Sequence, residues 1–371
     1  MKLRIAILGG DGVGPEVMAQ AVKCLKAIGE TFNHDFRFTN ALIGNTAIRE
    51  TGNSLPLKTL EVCANSDAIL LGALEKTAED SRDDNDAQPQ ESLGRLRKEL
   101  GLFANIRPVK LFPGITANSP FSKNLADKVD FHIYREQLGG LYNGEGHLKE
   151  SGSATDSCTY TEKEISRIAH LAFKAAKRRR KKVTLVDKAN ILDTSKLWRT
   201  VVTEIAGSYP EVNLECLEID NAVVKLTLDP SNFDIILADA MFGDVISGQG
   251  SILLGAQGLL PSASLGEYHC MFKPTHGAFS KEKGKNSINP IASIFCVIML
   301  LEKFGLKEEA NAVFASVRKA FKKKVVVPDV LGSRKYGTDY VGDFIADNIT
   351  DSDSNLNIND ENIGLGKSTI I

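Results

Sequence analysis

Little in this sequence would staple, anchor or strongly charge the chain. Its 371 residues include six cysteines, Cys24, Cys63, Cys158, Cys216, Cys270 and Cys296. None forms a C-x-x-C pair, so neither a zinc cage nor a disulfide framework is expected. Cys24, Cys63 and Cys296 lie in apolar segments, where buried thiols are common. Forty-five Lys and Arg against forty-seven Asp and Glu leave a net charge of −2, which gives no global field to draw in nucleic acid or a membrane surface. The longest strongly apolar run, near Ile291 to Leu301, is shorter than the roughly 20 residues that span a bilayer. Met1 to Gly10 leads into a glycine turn without the pattern of a secretory leader, so a cytoplasmic location is expected. Aromatics make up only 7%, but 43% of residues are hydrophobic, and a chain of this length can bury a large core unaided.

Strand and helix patterns alternate. Leu3 to Leu8 is a buried-strand run closed by Gly9-Gly10-Asp11-Gly12, after which Pro15 opens a helix striped by Val17, Ala21, Leu25 and Ile28. Ser66 to Ala73, Val183 to Asp187 and Phe233 to Leu237 read as further strands, and Thr161 to Lys182 and Leu197 to Ala206 as helices. This order indicates an α/β fold with a partly parallel sheet, whose ligands gather at the carboxyl ends of strands. Glu75 to Glu91 reads as a long acidic loop, Asp130 to Gly152 as an extended arm or hairpin, and residues 351–371 as a polar tail.

Several motifs carry chemistry only in combination. Gly10-Asp11-Gly12-Val13-Gly14-Pro15 approaches a dinucleotide loop, but Pro15 stands where the third glycine belongs; a tight turn explains it as well. Gly364-Leu365-Gly366-Lys367-Ser368-Thr369 imitates a phosphate loop, yet Glu361 replaces its first glycine and the chain stops before any helix. The basic run Lys177 to Lys182 reads as the solvated end of a helix, where cations meet the negative pole of the dipole. Arg97, Arg107 and Arg135 would suit a dicarboxylate if they converged. Tyr142 and Lys188 are possible proton-transfer groups. Asp220 and Asp244 are hard oxygen ligands near strand ends, and on a helix an acid at position 248 would share the face of Asp244; the residue is Gly248.

Together these segments resemble the isocitrate/isopropylmalate family of β-decarboxylating dehydrogenases, from about Leu3 to Ile349. The matching stretches include Gly10 to Glu16, Leu96 to Pro108, Tyr134-Arg135-Glu136, Val186 to Asn190, Ile219 to Ala222, Met241 to Asp244, Gly258 to Ser264, His276-Gly277 and Asn289-Pro290. The resemblance implies a mixed sheet of about ten strands in two domains, distinct from a Rossmann fold. Residues 1–105 and 257–350 would form the first domain, on the cofactor side, and residues 106–256 the second, with a dimer arm at about 130–152. It further implies a homodimer with composite sites, Lys188 and Asp220 serving the partner's substrate.

The implied activity is metal-dependent oxidative decarboxylation of 3-isopropylmalate to 4-methyl-2-oxopentanoate, a step of leucine biosynthesis, with NAD and Mg²⁺ or Mn²⁺. In that scheme Lys188 is the base and Tyr142 the proton donor to the enolate. Arg97, Arg107 and Arg135 bind carboxylates, while Leu93 and Ile191 contact the isopropyl group. Val13, Asn190, His276, Gly277, Lys281 and Asn289 fall at cofactor positions, and Asp220 and Asp244 at metal positions. Phe103-Ala104-Asn105 favours the isopropylmalate branch. Five positions depart from the family pattern: Gly94 replaces a pocket leucine, Gly248 a metal-ligand aspartate, Lys273 a glutamate, Lys281 a ribose-binding aspartate and Ala240 an asparagine. Lys281 would also suit the 2′-phosphate of NADP. The alternatives are therefore an NADP-linked relative and an impaired or regulatory homologue.

Overall fold

The computed structural model describes residues 1–75, 89–111, 129–149, 152–327 and 336–350. Most of the acidic loop expected after Glu75, the tail 351–371 and the Gly364 to Thr369 motif lie outside the described residues. Twelve strands are described: β1 Lys2–Gly10, β2 Asp35–Ala41, β3 Ala68–Ala73, β4 Ala104–Lys110, β5 Asp130–Glu136, β6 Gly146–Lys149, β7 Ser153–Asp156, β8 Lys182–Asp187, β9 Asn213–Glu218, β10 Ile235–Ala238, β11 Pro261–Leu265 and β12 Cys270–Pro274. The α-helices are α1 Gly14–Thr31, α2 Asn45–Thr51, α3 Leu57–Ala64, α4 Pro89–Glu99, α5 Glu162–Arg178, α6 Asp193–Ala206, α7 Ile219–Leu228, α8 Ala240–Leu253, α9 Ile291–Lys303, α10 Lys307–Lys322 and α11 Thr338–Thr350. None of the described helices is long and apolar enough to cross a membrane.

Ten strands form one sheet in the order β2-β1-β3-β12-β11-β4-β5-β10-β8-β9. Pairing is parallel in both wings and antiparallel through β12-β11-β4-β5 at the centre. An antiparallel centre separates this mixed α/β sheet from the all-parallel nucleotide-binding pattern, as expected. Both faces of the β1–β3 wing are covered. Ile5, Ile7 and Leu70 join the larger core, while Ala6, Leu8, Ile69 and Leu71 join a second cluster with Leu93 and Leu96 of α4. Such two-sided burial explains why β1 and β3 read as continuous apolar runs rather than alternating ones.

Local sequence sets the helix starts. Pro15 and Glu16 occupy the first turn of α1, and its stripe of Val17, Ala21, Leu25 and Ile28 is buried. Thr161 and Glu164 close a reciprocal capping box at the start of α5, with the Thr161 N–H donating to Glu164 at 2.8 Å. The Gly10–Pro15 segment is a tight turn. Gly10 and Gly12 have φ of +75° and +54°, and a Cβ on Gly12 would lie 2.1 Å from the Ala278 carbonyl oxygen. Val13 is buried, and its N–H donates to that carbonyl at 2.8 Å.

Two expectations change. The stretch 130–152 divides: Asp130–Glu136 is an interior strand of the main sheet, and the exposed antiparallel pair is β6 with β7, Gly146–Lys149 against Ser153–Asp156. The basic run after α5 is not uniformly solvated either. The Arg179 side chain is buried between Asp234, at 2.7 Å, and Asp130, at 2.6 Å. It also bonds His132 at 3.1 Å.

This knot ties the end of α5 to β5 and to the residue before β10. Arg179→Ala would leave Asp234 buried without its cation and is expected to cost about 3–5 kcal/mol, read from urea unfolding. Although burial pushes the Asp130 carboxyl up, Arg179 and Lys110 outweigh it and hold the group at about 2. A depressed carboxyl stabilises the fold above its unfolded pKa of roughly 4. Denaturant midpoints of the native protein should therefore fall as pH drops from about 4 to 2, and fall less in the variant.

Candidate functional site

The central strands place the cationic residues. Strand pairing sets Asn105 of β4 opposite Arg135 of β5, and Arg107 lies two residues along β4, on the same face as Asn105. The buried Asn105 side chain accepts from Arg107 at 3.0 Å and from Arg135 at 3.1 Å through one oxygen. Its amide donates to Ala263 O and Ser264 Oγ of β11, each at 3.3 Å. Arg135 also donates to the Ala240 carbonyl at 2.8 Å. It reaches that carbonyl because residue 243 has no side chain: a Cβ on Gly243 would stand 2.3 Å from Arg135 Cγ.

These groups open onto a cavity of about 550 Å³. Leu93 and Arg97 of α4 line it, with Arg107, Arg135, Tyr142, Asp244, Gly248, Lys273, His276 and Gly277. Asp244 pairs with Arg107 at 3.0 Å and with Arg135 at 2.8 Å, and accepts a hydrogen bond from Tyr142. Burial is the main cause that lowers the pKa of Arg97 to about 10 and of Arg135 to about 9, with repulsion from Arg107 adding to both. Both stay protonated at neutral pH, in a space short of anions. Burial and then Asp244 raise the Tyr142 phenol, keeping it a proton donor. Guanidinium groups gathered in this way would suit a dicarboxylate.

His276 connects this space to a second cavity of about 290 Å³, lined also by Gly255, Phe279, Glu282, Ile288 and Asn289. Its Nδ1 lies 2.9 Å from the Gly277 carbonyl, while its buried Nε2 has no partner among the described residues. Burial pushes the imidazole down to about 4, so it is neutral at pH 7. With Nδ1 donating, the open Nε2 is an acceptor awaiting a donor such as an amide or hydroxyl. Lys281 is exposed in the short turn Ser280–Glu282 beside Phe279 and Glu282.

Other expected site residues are not in either cavity of this chain. Lys188, just after β8, bonds Asp220 of α7 at 2.5 Å and Glu218 at 3.5 Å. The hydrogen bond to Asp220 is the chief cause that raises the Lys188 pKa, the opposite of what a base needs. Asn190 and Ile191 are exposed nearby. Val13, buried in its turn, lines neither cavity. Of the two expected metal positions, one chain brings Asp244 to the cavity and leaves Asp220 with Lys188. Asp244 is the cavity's one carboxylate among the described residues and is held by two arginines. Gly248 offers no ligand, and no described cluster of three His, Cys, Asp or Glu could hold an ion. The residues of one chain do not fit a divalent cation.

The comparisons with known proteins agree with the geometry. The family described as isocitrate/isopropylmalate dehydrogenase matches residues 4–345. The chain belongs to the isocitrate/isopropylmalate dehydrogenase family. The 3-isopropylmalate dehydrogenase of Bacillus subtilis is 43% identical over 91% of this chain and 94% of its own length. That of Geobacillus kaustophilus is 44% identical over 89% and 90%. The crystal structure of isocitrate dehydrogenase from Methylococcus capsulatus superposes with a TM-score of 0.83 at 30% identity, covering 94% of this chain and 99% of that one.

Asn105 and Gly243 escaped notice as site residues, although both lie in stretches that match the family. An asparagine inside a buried strand beside an arginine two residues on was the available signal for the first. Gly243→Ala should displace Arg135 and weaken malate, a dicarboxylate probe, by about 10- to 100-fold, from the roughly 1.5–3 kcal/mol of a lost charged hydrogen bond. Calorimetric titration would show it; unchanged affinity would remove Arg135 from the binding site.

Proposed function

We propose that this chain is a nicotinamide-linked dehydrogenase acting on 3-isopropylmalate, with NAD in the His276 cavity and the substrate among the arginines. The convergence of Arg97, Arg107 and Arg135 on one cavity, adjoining the pocket of His276 and Asn289, carries this reading. Arg107 and Arg135 would exchange Asp244 for substrate carboxylates, and Leu93 would meet the alkyl group. Tyr142, kept protonated, would deliver a proton to carbon after CO₂ departs. When bound, the nicotinamide supplies the hydride acceptor. The uniformly dehydrogenase names of the close relatives favour an enzyme over a non-catalytic homologue.

A homodimer with shared sites completes this reading. Lys188 and Asp220 form a pair outside the cavity, available to a second copy. Exposed apolar side chains occupy α7 (Val224, Leu228), α8 (Val245, Ile252) and the β6–β7 hairpin (Leu148). Exposed apolar side chains of this kind suit an isologous contact. All six cysteines are free thiols, consistent with a reducing cytoplasm. The proposed domain division follows the sheet order, with strands from both chain ends in one wing and β5, β8, β9 and β10 in the other.

Purified protein should reduce NAD with 3-isopropylmalate, and absence of turnover with either NAD or NADP would defeat the reading. Lys281→Asp should shift the NAD to NADP ratio of kcat/KM toward NAD by about tenfold, a change of ~1.4 kcal/mol. A Cβ at residue 248 meets nothing within 4 Å, so Gly248→Asp should fold normally. It would add a carboxylate one turn beyond Asp244. Mn²⁺ titration followed by electron paramagnetic resonance should then show tighter metal binding than in the parent.

A further inference from the structure

The two cavities differ in charge. The smaller one is lined by His276, Phe279, Glu282, Ser287, Ile288 and Asn289, with small residues around them, and Glu282 is the only carboxylate among the described lining residues. None of those residues is a lysine or an arginine. His276 is neutral, its imidazole pushed down to about 4 by burial. Lys281, expected at the ribose position, is exposed and does not line the space. Position 281 thus carries a cation in solvent, and position 282 the carboxylate of the cavity.

The loop between β12 and α9 holds that carboxylate in place. The Glu282 N–H donates to the Phe279 carbonyl at 2.8 Å, closing a turn in which Phe279 has φ of +43°. Ser287 Oγ donates to Glu282 Oε2 at 2.9 Å, and Lys285 Nζ donates to Oε1 at 3.2 Å. Farther along, Ser280 Oγ donates to Glu75 at 2.7 Å, and the Ile288 N–H donates to Thr338 Oγ1 at 2.9 Å. The rings of His276 and Phe279 stack at 6.1 Å and 23°, giving the cavity an aromatic wall. The unpartnered Nε2 of His276 can accept from an exocyclic amine such as that of adenine. At about 290 Å³ the space lies near the lower end of the ~300–1,000 Å³ of ligand pockets, a size for one nucleoside rather than a whole dinucleotide.

We propose that Glu282 is the residue that selects NAD over NADP, by accepting from the adenosine ribose hydroxyls and repelling a 2′-phosphate. The two cofactors differ only in that phosphate, which carries about −1.5 to −2 charge at pH 7. In this cavity it would replace a hydroxyl donor with like charge beside Glu282, and no lining cation offsets it. Lys285 neutralises part of the Glu282 charge, but it is exposed and lines neither cavity. A repulsive group aimed at the wrong partner is a general route to specificity. This inference rests on the preceding proposal only for the placement of the cofactor's nucleoside in this cavity.

The test measures binding alone. Full-length protein is titrated with NADH and with NADPH, followed by nicotinamide fluorescence, without substrate or metal. The parent should bind NADH about tenfold or more tightly than NADPH, a difference of ~1.4 kcal/mol. Glu282→Gln removes the charge and keeps the shape, and should shift the ratio of affinities about tenfold toward NADPH. Glu282→Asp keeps the charge and should retain the preference for NADH. Lys281→Met, at an exposed site, should move the ratio by less than about threefold. A parent that binds NADPH as tightly as NADH, or a ratio unmoved in folded Glu282→Gln, would overturn the inference. The first of these needs no variant, so misfolding cannot hide it. Either result alongside turnover of 3-isopropylmalate with NAD would overturn the role of Glu282 and leave the dehydrogenase standing. The expected ratios without turnover of 3-isopropylmalate would support Glu282 and defeat the substrate assignment instead. Binding of neither nucleotide would overturn both.

Discussion

The cavity is organised by like charges that must be held together before any ligand arrives. Arg97, Arg107, Arg135 and Lys273 face one space with a single described carboxylate, Asp244. The repulsion between Arg107 and Arg135 is offset by Asp244, which pairs with both, and by neutral oxygens: Asn105 Oδ1 takes two arginines and the Ala240 carbonyl takes Arg135. The neutral contacts stabilise the guanidinium groups beyond the one negative charge that Asp244 supplies. The result is a group of cations held in fixed positions by the scaffold. The absence of an alanine methyl at residue 243 belongs to the same arrangement, since Arg135 passes through the space it would fill.

The sheet makes this concentration of charge possible. Its antiparallel centre brings β4 and β5 side by side in a register that aligns Asn105 with Arg135. The adjoining β11–β12 pair carries Lys273 into the same region. The parallel wings then bury their apolar strands on both faces, giving the centre a rigid frame. Arg179 performs a comparable service farther away, joining α5 to β5 through buried carboxylates. Cationic groups in this protein therefore occur in two distinct settings, one paired within the architecture and one facing the cavity with fewer carboxylates than cations.

Much of this was legible in the sequence. The runs now seen as β1, β3, β8 and β10, the Pro15 helix start and the three cavity arginines were all visible, because period, turn chemistry and residue type are local properties. Ordered matches to a family supplied the mixed sheet. Arg179 was not legible as a buried residue: it sits among five other basic residues, and only its carboxylate partners, 49 and 55 positions away, distinguish it. The hairpin boundary also moved, since Asp130–Glu136 has the same strand character whether it joins a free arm or the main sheet.

By itself the sequence determined which chemical groups this protein has: a cavity's worth of arginines, a tyrosine, a lysine at 273 and no acid at 248. Tertiary structure decided which of them meet. It gathered Arg97, Arg107, Arg135, Tyr142 and Lys273 and kept Lys188 with Asp220 elsewhere. The physical reason is that charge pairing and desolvation depend on distance in space. Residue type states whether a group can ionise; only packing states how far it lies from the next charge, and hence whether it is paired or left among like charges.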